Sequence, residues 1–270
     1  MDCRSPAVCI LLILVLFAAF GGCTSTPAQQ GATASDSMTY VTKEKTIPRV
    51  TEMVSQTTAP PAQNIADQLA AVKSTNVIWR EASRRFSNIK ATEYVHPPYT
   101  VDDAAGIYRF DCLGFVDHVL MNADPAAYKE ISRGVNPSIE SYAGYFNKLD
   151  TVKPDAEGWT RVVRPVDLKP GDVCLWLEPS TLDTGHMWII AGEPKVNPKR
   201  NSEVLVRIFD SSKAHSDDSR MGSVYPLGLG SGILGMMVEW EGNPIGLYWD
   251  GGTSPAGEKG TTIVCGRLDR

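Results

Sequence analysis

Cys112 is the residue whose position asks for a chemical reason. It follows Asp111 in the run RFDCLGFVDHVL, where Phe115, Val116 and Val119, three, four and seven residues on, mark the apolar face of a helix that starts at the cysteine. Unsatisfied N–H groups and the positive end of the helix dipole favour a thiolate at such a position, so the thiol is activated as a nucleophile. The same N–H groups can serve as an oxyanion hole. Asp111 is read as the helix cap, without a catalytic role.

A cysteine nucleophile needs a base, and the chain contains His96, His118, His186 and His215. His118 is six residues along the same helix, about 240° round from Cys112 at about 100° per residue, and points elsewhere. His96, in HPPY, approaches only from a loop. His186 opens the apolar run HMWIIA directly after Gly185, and a strand end holds a side chain rigidly at the rim of a cleft. Cys174 and Cys265 both lie in strand-like runs, where they either pair in an oxidising compartment or act as small buried hydrophobes. A zinc site from Cys112, Cys174 and a histidine lacks the usual ligand pairs at short spacing, so neither metal nor cofactor is expected.

The elements that must position these residues follow from periodicity. An apolar stripe of Ile65, Leu69, Val72, Trp79, Ala82, Phe86 and Ile89 predicts one long helix capped by Asn64. The Cys112 helix follows, then two shorter helices near Ala126 to Ile131 and Ser138 to Leu149. From Val162 onward short β-rich runs alternate with turns: DVCLWL, HMWIIA, EVLVRIF, IGLYW and TTIVCGRL. Helices first and then a mostly antiparallel sheet is an α+β layout. LKPGDV supplies the turn that launches the strand of Cys174 and Trp176. The Gly-, Ser- and Asp-rich stretch from Ser211 to Gly235 reads as a long loop beside the sheet. Trp176, Trp188, Trp240 and Trp249 are expected to fill the core or line the cleft.

The beginning of the chain carries a different grammar. An apolar run from Ala7 to Phe20 precedes two glycines and Cys23, which is too short for a membrane span and reads as a secretory signal over residues 1–22. FGGC resembles the bacterial lipobox, with Phe20 where Leu is usual. That resemblance implies acylation of Cys23 and a domain anchored to a membrane through lipid, facing the periplasm or exterior. Residues 24–63, rich in Ser, Thr, Ala, Gln and Pro, read as a flexible tether, and residues 64–270 as one folded domain. A net charge of −5 with no basic stripe argues against nucleic acid as a partner.

The order FDC-x-GFV, LKPGDV, then GH before an apolar strand resembles the NlpC-type cell-wall cysteine peptidases over roughly residues 92–270. The resemblance implies a papain-like α+β fold with Cys112 as nucleophile and His186 as base. It also implies a third polar residue on the next strand to orient the imidazole, for which Asp210 is the best candidate and His215 the alternative. Tyr108 stands near the place of a substrate-binding tyrosine. The implied activity is cleavage of amide bonds in peptidoglycan stem peptides. Leu113 replaces a small residue common after the nucleophile, and the polar insertion EPKVNPKRNSE lengthens the His186 to Asp210 spacing, which a hairpin extension would absorb. An amidase or acyl transferase on another envelope substrate, or a wall-binding lipoprotein without catalysis, stands beside this reading.

Overall fold

The computed structural model describes residues 61–72, 74–177, 185–255 and 257–270. The signal segment, Cys23 and nearly all of the tether lie outside them. The chain opens with α1 (Pro61–Ala70) and α2 (Val77–Ser87), followed by the short strands β1 (Ala91–Glu93), β2 (Thr100–Asp102) and β3 (Ile107–Arg109). Helices α3 (Cys112–Ala123), α4 (Pro125–Ser132) and α5 (Ile139–Phe146) come next. Strands β4 (Trp159–Val162), β5 (Val173–Leu177), β6 (Gly185–Ile190), β7 (Lys195–Asn197) and β8 (Arg200–Lys213) follow, then β9 (Leu227–Val238), β10 (Pro244–Tyr248), β11 (Glu258–Lys259) and β12 (Thr262–Leu268).

The single long helix expected at the start is two helices. Asn76 ends the continuity: its Oδ1 accepts from the amides of Ile78 and Trp79 at 2.9 and 3.1 Å, which caps α2 and starts a new helix. The apolar stripe survives the break, because Ile65 and Leu69 of α1 and Ile78, Trp79 and Ala82 of α2 all enter one core. Asn64, expected as a cap, lies within α1.

Among the described residues, a nine-stranded open sheet, antiparallel at every pairing, runs in the order β11-β10-β9-β8-β6-β5-β12-β4, with β7 on β8. The fold is therefore α+β, as the alternation of patterns predicts. One core lies between the sheet and helices α1 to α5, built on Phe115, Val116, Val119, Tyr142, Phe146, Met187 and Phe209. The second lies on the opposite face, where β10 comes over to touch β12 and Trp188, Ile190, Val206, Ile208, Met236 and Leu247 close together. Both faces being covered, every residue of β6 is buried. The insertion before β8 forms the β7–β8 hairpin, as expected from its length and polarity.

The stretch from Ser211 to Gly235 is not one loop. β8 continues to Lys213 and β9 begins at Leu227, leaving only residues 214–226 as the connection. The glycines that suggested a loop are needed for close packing on the strand. A Cβ at Gly228 would stand 2.4 Å from Thr92 Oγ1, at Gly230 2.4 Å from Arg220 Nε, and at Gly232 2.2 Å from Asp218 Oδ2. A separate small sheet, β1-β3-β2, went unread in the sequence because each strand is three residues long.

Cys174 and Cys265 face each other across β5 and β12 and are bonded as a disulfide. Among the described residues no helix is long and apolar enough to cross a membrane.

Candidate active site

Cys112 is the first residue of α3 and the free cysteine among the described residues. Asp111 is the N-cap, as expected: its Oδ1 accepts from the Gly114 amide at 2.8 Å and from the Tyr99 hydroxyl at 2.8 Å. The Phe115 amide goes to the Asp111 carbonyl at 3.0 Å. That cap uses the third and fourth amides of the helix, so the amides of Cys112 and Leu113, at the first two positions, are the ones a helix start leaves over. Leu113 itself packs against the helix-side core.

His186, the expected base, is delivered by β6. Gly185, with φ +140°, lies so close to strand β5 that a Cβ would stand 1.9 Å from the Trp176 carbonyl oxygen, which explains the glycine before His186. The His186 ring stacks on Trp188 at 5.9 Å and meets the edge of Trp249 at 5.4 Å, which fixes its plane. Its Nε2 lies 2.9 Å from Asp210 Oδ2, and the Cys112 sulfur is near enough to act on the charge of the ring. With Nε2 engaged by Asp210, Nδ1 is the nitrogen left for the thiol. Burial pushes the imidazole toward neutrality, but the Cys112 sulfur and the Asp210 carboxylate outweigh it and raise its pKa to about 10.

Asp210 is on β8, register-paired with Gly230 of β9. The adjacent Ser211 hydroxyl donates to the Phe110 carbonyl at 2.7 Å, tying β8 to the residue before the cap of α3. Burial opposes the Asp210 charge, yet Arg220 first, then His215 and His186, hold the carboxyl well below its usual range. The structure thus brings together Cys112, His186 and Asp210, and places His215 beside them, with its Nε2 2.9 Å from the same Oδ2.

Tyr108 is not brought to this site. It is fully buried on β3, its hydroxyl accepting from Asn88 Nδ2 at 3.3 Å. The tyrosine at the cleft is Tyr94. Together with Trp176, Gly185, His186, Ser212, Lys213, His215, Leu227 and Trp249 it lines a cleft of about 430 Å³. Of the four tryptophans considered, Trp188 fills the core, Trp176 and Trp249 line the cleft, and Trp240 stands exposed at the β9–β10 turn. His96 is largely exposed, with Nδ1 3.1 Å from Asp111 Oδ2, and His118 is packed apart from the site.

Sequence reading missed Arg220, Asp218 and Ser212. The Arg220 guanidinium donates to Asp210 Oδ1 at 2.8 Å and to Asp218 Oδ2 at 2.6 Å. The Ser212 hydroxyl donates to Asp210 Oδ2 at 2.6 Å. Charged residues in a segment read as a loop gave no periodic signal, and only the paired Gly230 and Gly232, which make room for these side chains, hinted at them.

Among the described residues, His186, Asp210 and His215 offer ligand atoms within 4.8 Å of one another, the spacing a metal ion would need. Arg220 on Oδ1 and Ser212 on Oδ2 already occupy the carboxylate, and the guanidinium adds positive charge beside the point where a dication would sit. The donor set fits a proton-bearing hydrogen-bond cluster better than a metal centre. The disulfide removes Cys174 from any ligand set with Cys112.

No family model, no curated protein and no solved structure matches this chain.

Proposed function

We propose that this protein is a cysteine hydrolase that cleaves amide bonds, with peptidoglycan stem peptides as its substrate. The observation that carries the reading is the arrangement of Cys112 at the first position of α3, beside His186, which is in turn held by Asp210. The Cys112 thiolate attacks the amide carbonyl carbon, and the oxyanion is received by the amides of Cys112 and Leu113. The His186 imidazolium gives its proton to the nitrogen, the C–N bond breaks, and the amine leaves a thioester on Cys112. Water then attacks, His186 takes its proton, the C–S bond breaks, and the carboxylate departs. Asp210 holds the ring in orientation throughout and stabilises its cationic form.

The substrate and location rest on the sequence. The FDC, LKPGDV and GH motifs resemble the NlpC-type peptidases, and the α+β order of helices before a mostly antiparallel sheet supports the papain-like fold that the resemblance implies. FGGC at Cys23 resembles a lipobox, consistent with a lipid-anchored domain in the cell envelope. A second reading keeps the chemistry and changes the substrate to another envelope amide or acyl group. Trp176, Trp249, Tyr94 and Leu227 favour it by giving the cleft an apolar wall.

The test is digestion of purified peptidoglycan and soluble muropeptides by the wild-type protein beside Cys112→Ala, with products read by mass spectrometry. New amine and carboxylate termini that vanish with the substitution identify the peptidase and its bond. Intact substrate, with Cys112 still reacting rapidly with iodoacetamide, moves the activity to the second reading. A sluggish thiol and intact substrate would end the hydrolase reading and leave a wall-binding role.

A further inference from the structure

Asp210 receives far more than an orienting carboxylate needs. Its Oδ2 faces His186 Nε2, His215 Nε2 and the Ser212 hydroxyl, while its Oδ1 takes Arg220. His215 is itself held at both nitrogens, with Nδ1 2.8 Å from the Trp249 carbonyl oxygen and the ring stacked 5.9 Å from the Trp249 indole. Every N–H direction of Arg220 is used as well. Nε goes to Asp218, one terminal nitrogen to the carbonyls of Ser212 and Gly228, and the other to Asp210 and Asp218. Asp218 Oδ2 also accepts from the His215 amide at 2.9 Å.

These side chains are assembled by the 214–226 connection, which folds back onto β9 through the amides of Ser219 and Ile233 and lies over Gly230 and Gly232. His215, Asp218 and Arg220 are all buried. Burying charged groups is costly unless they compensate one another, and here Asp210 and Asp218 stand against Arg220 and His186. A structural ion pair would need only Arg220 and one carboxylate; the second imidazole, aimed at the oxygen that holds His186, requires a further purpose.

We propose that His215 is a positioning residue: it clamps Asp210 through the same Oδ2 that faces His186, so that the reacting imidazole is held by a buried His186–Asp210–His215 relay with Arg220 as its lock. The inference rests on Cys112 and His186 being the reacting pair, and deepens that reading by adding a fourth residue to it. Without His215, Asp210 Oδ2 loses one of its donors, the carboxylate gains freedom to rotate toward Arg220, and His186 is no longer fixed against the thiol. The groups that face this cluster are Cys112 from α3, His186 from β6, Ser212 and Lys213 from β8, Asp218 and Arg220 from the connection, and Tyr94 across the cleft.

The test uses the full chain with His215→Phe, which keeps a ring to stack on Trp249 but removes both ring nitrogens, and His215→Gln, which returns a donor. Two rates are measured: kcat and KM on the peptide that the wild-type protein cleaves, and alkylation of Cys112 by iodoacetamide from acid to mildly alkaline pH. His215→Phe is expected to lower kcat roughly tenfold to a hundredfold, the range for losing a hydrogen bond to a charged group, with KM unchanged. Alkylation near neutral pH falls in parallel, and His215→Gln recovers part of both. Folded His215→Phe with wild-type kcat and a wild-type alkylation profile overturns the proposal and leaves His215 as packing. If His215→Phe fails to fold, His215→Gln decides, since an unchanged rate profile there counts against the clamp and an intermediate one supports it. Should the wild-type protein hydrolyse no amide while the alkylation profiles still separate, the amide-hydrolase reading falls and the clamp on His186 stands.

Discussion

Replacing Asp210 with asparagine keeps the side-chain volume and removes only the charge that the site is built around. Asp210 Oδ2 lies 2.9 Å from His186 Nε2 inside a fully buried cluster. At an effective dielectric of about 20, unit charges about 4 Å apart interact by roughly 4 kcal/mol, so the imidazolium loses stabilisation of that order. That energy corresponds to about a thousandfold in the proton affinity of the ring. Arg220 remains, and its positive charge opposes the imidazolium further. The imidazole beside Cys112 then gives up its proton at correspondingly lower pH. A free thiol is roughly 1% ionised at about pH 6.5, so alkylation by iodoacetamide there slows by up to about a hundredfold, and amide cleavage falls with it. The same substitution removes the carboxylate beside the buried His186 and leaves Arg220 only Asp218, at a cost of up to about 3–5 kcal/mol in stability. Alkylation is therefore read on protein shown to be folded by circular dichroism at the assay temperature. Folded Asp210→Asn that alkylates at the wild-type rate across the whole pH range would refute the idea that the Asp210 charge sustains the thiolate–imidazolium pair.

The pH dependence of stability follows from the same groups. His186, raised from 6.5 to about 10, contributes stability fully below about pH 6.5 and loses it as pH rises toward about 10; Asp210, held well below 3.8, contributes above that pH and loses its share as pH falls further. Asp117, pushed up to about 7 by burial, loses stability over the range from 3.8 to about 7, so urea midpoints are best compared in an Asp117→Asn background. There, Cys112→Ala should move the alkaline decline to lower pH, and an unmoved decline would show that the thiol does not hold His186 charged. The Cys174–Cys265 disulfide closes a separation of 91 residues, worth roughly 4 kcal/mol through the unfolded chain. Reduced and alkylated protein should show a correspondingly lower urea midpoint, and an equal midpoint would rule that contribution out. In cells, Cys23→Ala should abolish incorporation of palmitate, and continued labelling would remove the lipid anchor.

Much of the site was legible because two of its residues are tied to local signals. A cysteine after a capping aspartate at the start of an apolar helix, and a Gly-His pair opening a fully apolar strand, are patterns of neighbouring residues. Asp210 was reached through the likeness to a family and the strand that should follow His186, and β8 does place it there. Tyr108 was drawn in by its nearness to Cys112 in the chain. In the structure the parallel pairing of β1 with β3 turns it into the core and leaves Tyr94 at the cleft.

Sequence by itself determined the α+β class, the principal strands, the helix-start cysteine and the capping role of Asp111, because periodicity and capping act over a few residues. The choice between a paired and an unpaired Cys174 and Cys265 belonged to the register of β5 against β12. The tertiary structure alone decided that a glycine-rich run is a strand, since the space those glycines leave is filled by side chains from the 214–226 connection. It alone set His215 and Arg220 on either side of Asp210, because a buried charge cluster is assembled from residues whose local sequence carries no period, and only the packed fold brings their counter-charges within reach.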